Sequence, residues 1–333
     1  MINRYDTWTK LKEVVLGDVN LSLCNMIDDL DDRKRMTEIL YDAKDTLESI
    51  KSIFESFNVK VWRPNIIEYD KNKTYSTPYI NLKAVGNSIA SFDHFFTVAN
   101  TVVEMSSYSI NSYFDYLQYH HIWSHQFQQG SRWLSMPRPC YDLEKMDPTA
   151  YIDNNEPYAD SPSFQLCGKH IFHAETGTIN QKGLTWIKRE FPEFKFIPIK
   201  DTKGHLDSYF SILKPGLVIS SLPKSQFPEQ FKNWDFITLG PENYDDIKII
   251  DEFIQDTDYE NTTLAVNCLS LDEENVIILK HIVDKHPEIM KAIEKHKINI
   301  IPLKYDASRW INQGISCMCN QIEREGKLIN YFE

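Results

Sequence analysis

The sequence predicts an α/β fold built from a repeated hairpin-and-helix unit, and three observations carry that prediction. Apolar strand pairs separated by short polar or Gly/Asn turns recur at Phe95 to Glu104, Ile171 to Thr178, Phe210 to Ile219 and Leu264 to Leu279, each reading as a hairpin. Between them lie stretches with apolar residues at three- and four-residue spacing, Lys34 to Phe57, Ser109 to Phe127, Gln181 to Phe191, Tyr244 to Phe253 and His286 to Lys295, the period of amphipathic helices. No Gly-, Ser- or Pro-rich linker divides the copies. The order hairpin, helix, extended segment therefore argues for a single propeller-like repeat domain over residues 1–333 rather than separate domains.

With 333 residues, 42% hydrophobic and 13% aromatic, the chain can bury a large core. Its formal net charge of -12 argues against nucleic acid or an anionic membrane as partner, because polyphosphate selects for Lys and Arg. A small polar or cationic ligand suits that field. The start, Met1-Ile2-Asn3-Arg4-Tyr5-Asp6, has no apolar h-region, and no apolar run approaches the roughly 20 residues that span a bilayer, so a cytoplasmic protein is expected. The six cysteines, Cys24, Cys140, Cys167, Cys268, Cys317 and Cys319, are too scattered for a disulfide scaffold and should be free thiols, mostly small buried hydrophobes. There is no phosphate loop and no metal-ligand array, so no cofactor and no metal are expected.

Along the chain, the first candidates for chemistry are carboxylates. Asp93 precedes the hairpin at Phe95, and Asp160 lies ahead of the strand at Ile171; either could simply be solvated. Within the second helical stretch, His121 and His125 share a face at i,i+4, as metal ligands can, but Tyr116, Tyr119, Trp123 and Phe127 around them favour packing. His205 follows Gly204 at the mouth of the next hairpin, and Asp207 two residues on would share its face in an extended segment. Such a pair can bind a cation and move a proton. In a propeller, equivalent positions before each hairpin converge on the central axis, so three polar residues there suggest a funnel-shaped active site. Cys317 and Cys319 supply thiols near the C-terminus; beside His205, one of them could be a nucleophile.

The same residues carry a resemblance to a known family. Tyr5-Asp6-Thr7-Trp8 through Leu11-Lys12-Glu13-Val14-Val15-Leu16-Gly17 resembles the first strand of the amidinotransferase family in the guanidine-modifying (pentein) superfamily, typified by arginine:glycine amidinotransferase. Trp62-Arg63-Pro64, Asp93 to Glu104, Asp160 with Phe164 and Gly168 to Phe172, His205 to Val218, and Ser316-Cys317-Met318-Cys319 through Arg324 resemble its further motifs, in the family's order and over nearly the whole chain.

The resemblance implies a five-bladed α/β propeller around a central active-site funnel. It also implies transfer of the amidino group of L-arginine to an amine acceptor, glycine or another amine, through an amidino-cysteine, with release of L-ornithine. Cys317 would be the nucleophile and His205 the acid and base. Asp160 would be the catalytic carboxylate and, with Asp93, would clamp the guanidinium; Asp207 would bind the amino-acid end of the donor. The Arg expected to hold the donor carboxylate falls on Lys224. Small-molecule substrates are the partners implied, and a homodimer is open. Hydrolysis at the same site, as in arginine deiminases and dihydrolases, is the alternative; an inactive binding protein is a second. The chain departs from the family where Phe92 replaces an Arg, Ser316 replaces a His before the nucleophile, Leu264 and Ala265 replace serines, and only Gly314 remains of a Gly-rich approach to Cys317.

Overall fold

The computed structural model describes residues 1–78, 80–86, 88–138, 156–239, 266–311 and 313–332. The helix expected at Tyr244 to Phe253, together with Cys140, Leu264, Ala265 and Asn312, lies outside these residues. Among the described residues, five three-stranded sheets share one plan. In each, two strands pair antiparallel and the third runs parallel to the middle one.

The first blade joins Cys319–Arg324, Leu11–Leu16 and Lys60–Trp62, and the second Phe95–Val98, Thr101–Glu104 and Arg132–Ser135. The third joins Phe164–Cys167, His170–Thr176 and Lys195–Lys203. The fourth joins Phe210–Lys214, Leu217–Ser220 and Asp235–Thr238, and the fifth Leu269–Ser270, Asn275–Leu279 and Asn299–Leu303. A parallel neighbour requires a crossover. Helices supply it in four blades: Leu30–Ser56, His120–Gln128, Gln181–Glu190, and the pair Lys280–Lys285 and Pro287–Lys295. The fourth blade crosses over through two single turns, Lys224–Gln226 and Glu229–Phe231.

The propeller is closed by its ends. Cys319–Arg324 pairs antiparallel with Leu11–Leu16, from Leu11 opposite Arg324 to Leu16 opposite Cys319. The first helix shows why local pattern sufficed for most elements. Asp29 caps it by accepting from the amides of Asp31 and Asp32, and it buries Ala43, Leu47, Ile50 and Phe54 on one stripe, the three- and four-residue spacing of an amphipathic helix.

Two expectations need correction. Ile171 to Thr178 is not a hairpin but one strand, His170–Thr176, whose antiparallel partner Phe164–Cys167 precedes it across the Gly168-Lys169 turn. The strand signal was right and the turn was placed on the wrong side. The stretch from Ser109 to Phe127 begins as the single turns Ile110–Ser112 and Asp115–Tyr119 before helix His120–Gln128. Asp115 there turns its carboxylate to the Gly86 amide at 2.7 Å.

The leading strand of every blade also carries a buried polar residue: Thr97, Gln165, Ser211, Ser270 and Gln321. Three of them, Thr97, Ser211 and Ser270, tie their blade to a neighbouring one. The Thr97 hydroxyl donates to Gln321 O at 2.6 Å, Ser211 to Val266 O at 2.6 Å and Ser270 to Leu213 O at 3.0 Å. Fully buried Arg324 completes the seam, donating from Nε to Gln321 Oε1 at 2.7 Å, from Nη2 to Ser270 O at 2.6 Å, and from Nη1 to Thr9 O. Among the described residues, no helix is long and apolar enough to cross a membrane.

Arg324→Ala leaves the Ser270 and Thr9 carbonyls short of a donor inside the closing seam. Each such group costs about 1–3 kcal/mol, so denaturant unfolding should show a loss of about 2–5 kcal/mol.

Candidate active site

Each blade is approached through a turn that holds a polar residue just ahead of its leading strand. Asp93 precedes Phe95–Val98, Asp160 precedes Phe164–Cys167, and His205 and Asp207 precede Phe210–Lys214; Asn267 precedes Leu269–Ser270 and Cys317 precedes Cys319–Arg324. The turns are laced to one another. Phe92 N donates to Cys317 O at 3.0 Å and Ser161 N to Asp93 O at 3.2 Å. The Ser91 hydroxyl donates to Met318 O at 2.8 Å, and Asn320 Nδ2 donates back to Phe95 O at 2.6 Å. Side chains complete the circuit: His205 Nε2 lies 3.2 Å from Asp160 Oδ2, and Asn267 Nδ2 donates to Asp207 Oδ2 at 3.0 Å. The Ser316 amide donates to Asn267 Oδ1 at 2.8 Å.

Cys317 lies at the junction of this ring. Its thiol donates to Asp207 Oδ2 at 3.3 Å, and Asn267 Nδ2 donates to the sulfur at 3.3 Å. Asp160, Asp207 and Cys317 are buried, while His205 is 23% exposed. Asp93, Asp160 and Asp207 each keep one carboxylate oxygen, Oδ1, that is shut away from solvent and has no hydrogen-bond partner among the described residues. Buried acceptors without donors are costly, so three of them in one cluster with His205 and the thiol mark a place suited to N–H donors.

The charges follow from this crowding. Burial lifts Asp93 to about 7, with the Asp160 and Asp207 carboxylates adding to the rise against the opposing His205 and His94. At His205, burial disfavours the imidazolium but is outweighed by Asp93, by the Asp160 hydrogen bond and by Asp207, leaving it raised to about 9. Cys317 is pushed well above an ordinary thiol, first by burial and then by the Asp207 and Asp93 charges. Without a cation in the site, the sulfur therefore holds its proton and the imidazole carries one.

The expected residues do not all take their expected places. His205 pairs with Asp160, not with Asp207. Leu206–Ser208 is a tight helical turn rather than an extended segment, and at three residues per turn, positions two apart face different ways. Gly204, at φ +96, lies in the left-handed region that suits glycine and aims His205 across the ring. Asp207 reaches the sulfur itself, its Oδ2 accepting from the thiol. Lys224 is engaged elsewhere, donating to Trp234 O at 2.6 Å with its ammonium 5.4 Å from the Phe236 ring centroid. Cys319 sits inside the closing strand opposite Leu16, in the apolar core. The histidines of the second helix pack on aromatic rings, His125 on Trp62 and His120 on Trp133, with centroids 5.0 and 5.1 Å apart. Sequence reasoning missed Asn267, although the rule of equivalent pre-hairpin positions that singled out Asp93, Asp160 and His205 points to it in the fifth blade. Ser316 was visible only as a departure and had no role.

A five-bladed α/β propeller of this kind is the pentein fold, here with a thiol, a His–carboxylate pair and further carboxylates brought together by its turns. No family model matches the chain. It is similar to mitochondrial glycine amidinotransferase of Xenopus tropicalis, 26% identical over 320 residues that cover 87% of this chain and 71% of that protein. It is also similar to inosamine-phosphate amidinotransferase 1 of Streptomyces glaucescens, 21% identical over 357 residues and 99% of both chains. Among solved structures, inosamine-phosphate amidinotransferase from Streptomyces griseus superposes with a TM-score of 0.81, at 20% identity, over 100% of this chain and 99% of its own. Dimethylarginine dimethylaminohydrolase from Pseudomonas aeruginosa superposes with a TM-score of 0.60, at 12% identity, over 94% of this chain and 99% of its own. The chain thus has the fold of these amidinotransferases and is similar to them over most of its length.

The raised values of His205 and Asp93 fix a pH dependence. A group whose pKa rises on folding stabilises the fold below its unfolded pKa and loses that contribution as pH climbs through the folded value. For Asp93 the window runs from 3.8 to about 7, and for His205 from 6.5 to about 9. Unfolding free energy should therefore fall across both windows. Asp93→Asn should flatten the fall, and an NMR titration of the His205 ring should move from about 9 toward its ordinary midpoint; an unmoved midpoint would remove Asp93 as its electrostatic partner.

Proposed function

We propose that the protein takes the amidino group from L-arginine onto Cys317 and delivers it to an amine acceptor, glycine or another amine, releasing L-ornithine. The observation that carries this reading is a site of three carboxylates, each with an unpartnered buried oxygen, in which Asp207 accepts from the Cys317 thiol, Asp93 acts on it through its charge, and Asp160 holds His205. A guanidinium is planar, permanently charged and edged with N–H donors, so it can satisfy several carboxylate oxygens at once while its carbon stays exposed to the sulfur. In this reading Asp93 and Asp207 take the substrate's N–H groups and Asp160 holds His205.

The arriving cation offsets the carboxylate field that keeps Cys317 protonated, and the thiol gives its proton to solvent to become the nucleophilic thiolate. Sulfur attacks the guanidine carbon, and the carbon–sulfur bond forms. His205, charged beforehand, gives its proton to the departing ornithine nitrogen as the carbon–nitrogen bond breaks. The neutral imidazole then takes a proton from the acceptor amine as it attacks the amidino carbon, and the thiolate leaves. Two half-reactions through a covalent intermediate give ping-pong kinetics.

The test is to incubate the protein with L-arginine and a panel of amines and follow ornithine, citrulline and guanidino products by mass spectrometry. Ornithine formed only with an acceptor supports transfer, whereas citrulline formed without one supports hydrolysis. No product and no adduct on the protein would sink both. Cys317→Ala should abolish turnover, a loss of at least about 10³-fold, while Cys319→Ala, a core change, retains the reaction. His205→Asn should block ornithine release and adduct formation.

A further inference from the structure

Two residues that the sequence motifs did not single out as functional sit against the nucleophile and its carboxylate. Asn267 Nδ2 lies 3.3 Å from Cys317 Sγ and 3.0 Å from Asp207 Oδ2. Its other end is fixed, because Oδ1 accepts the Ser316 amide at 2.8 Å. A flipped side chain would set an NH2 against that N–H, so the backbone of Ser316 dictates that the amide's donors face sulfur and carboxylate. The fit leaves no slack. A Cβ on Gly314 would stand 2.1 Å from Asn267 Cγ, so the single glycine left in the approach to the nucleophile is the one that gives Asn267 its room.

Ser316 completes the arrangement. Its hydroxyl lies 2.7 Å from Asp207 Oδ2 and 2.8 Å from Asn267 Oδ1. With one proton to give, it favours the charged oxygen. Asp207 Oδ2 thus receives Ser316, Asn267 and the thiol, while Oδ1 receives nothing from the protein. The carboxylate is held with one oxygen committed to the enzyme and the other left for a ligand.

From this geometry we infer that Asn267 is a catalytic residue whose amide N–H stabilises the Cys317 thiolate, and that Ser316 is a positioning residue that fixes Asp207. The inference rests on Cys317 as the nucleophile. Once the thiol ionises, its donor bond to Asp207 becomes a repulsion between two anions about one hydrogen-bond length apart. Asn267 is placed between them with an N–H group that both can use. A preorganised donor aimed at developing charge in a site closed to water is the arrangement that stabilises anions best.

The experiment needs no substrate, which separates it from the proposed transfer reaction. Alkylation of Cys317 by iodoacetamide is followed against pH, with peptide mass spectrometry to locate the label and thermal unfolding to show that each variant is folded. Asn267→Ala should raise the midpoint by about one to two pH units, so that labelling at a fixed pH below it slows about tenfold or more. Ser316→Ala keeps the backbone donor to Asn267, so its midpoint should move less, while activity towards a guanidinium substrate falls mainly through KM as Asp207 loosens. Asn267→Ser retains a shorter donor and should recover part of the shift. A folded Asn267→Ala protein with the wild-type midpoint, or a wild-type Cys317 that resists alkylation across the whole pH range, overturns the assignment.

Discussion

The pairing of Cys319–Arg324 with Leu11–Leu16 is the constraint on which the rest depends. It joins the two ends of the described chain into one blade, and its outer strand begins two residues after Cys317. Cys317 is therefore placed by the same hydrogen bonds that close the ring, and a propeller that failed to close would hold the carboxylates and the imidazole without a sulfur. Turn-to-turn bonds from Cys317 O to Phe92 N and from Asp93 O to Ser161 N then carry that registration to the second and third blades. Stability and chemistry share one set of contacts.

The electrostatics follow from the same convergence. Repeated units bring equivalent positions to one axis, and here three of those positions are carboxylates. Burial is the first reason that Asp93 lies near 7 and that Cys317 holds its proton, and the like charges gathered around them add to it. The field that holds the proton on the thiol in the free protein is also one that favours a cation, and in the proposed reaction the arrival of a guanidinium would change both at once. His205 is set apart by the opposite sign. The carboxylates keep it charged against the cost of burial, which suits the acid role proposed for it.

Much of this was legible in the sequence because it depends on local pattern. The hairpins at Phe95 and Phe210 and the long first helix follow from two- and three-to-four-residue periods, and the positions of Asp93, Asp160, His205 and Cys317 ahead of strands were visible by counting. What was hidden depends on the path of short turns. The turn Leu206–Ser208 rotates Asp207 away from His205, and an extended segment would not, so the two carboxylate roles could not be separated from spacing alone. Asn267 was obscured because it lies between apolar residues, Val266 and Cys268, where an Asn reads as part of a strand. The pairing of Lys224 with Trp234 O depends on how the fourth blade crosses over without a helix, which the residue pattern does not reveal.

The two parts of the site differ in how firmly the fold holds them, and this bears on what the enzyme can accept. Around Cys317, each polar group answers to several others: Asp207 Oδ2 to Ser316, Asn267 and the thiol, and Asn267 in turn to the Ser316 amide and to the space over Gly314. Changing one of them disturbs its neighbours, so the geometry of attack is tightly determined. Phe92 shows how such a ring absorbs change. Where the resemblance leads one to expect an Arg, the Phe92 ring has the guanidinium of Arg4, from the N-terminal segment, 5.2 Å from its centroid. Lys224, by contrast, stands on an exposed single turn with one hydrogen bond to the backbone, and a change there costs little. The groups around Cys317 are thus fixed by interlocking contacts at the axis, while Lys224, proposed from the resemblance to meet the donor's far end, stands where the fold leaves a residue free to vary.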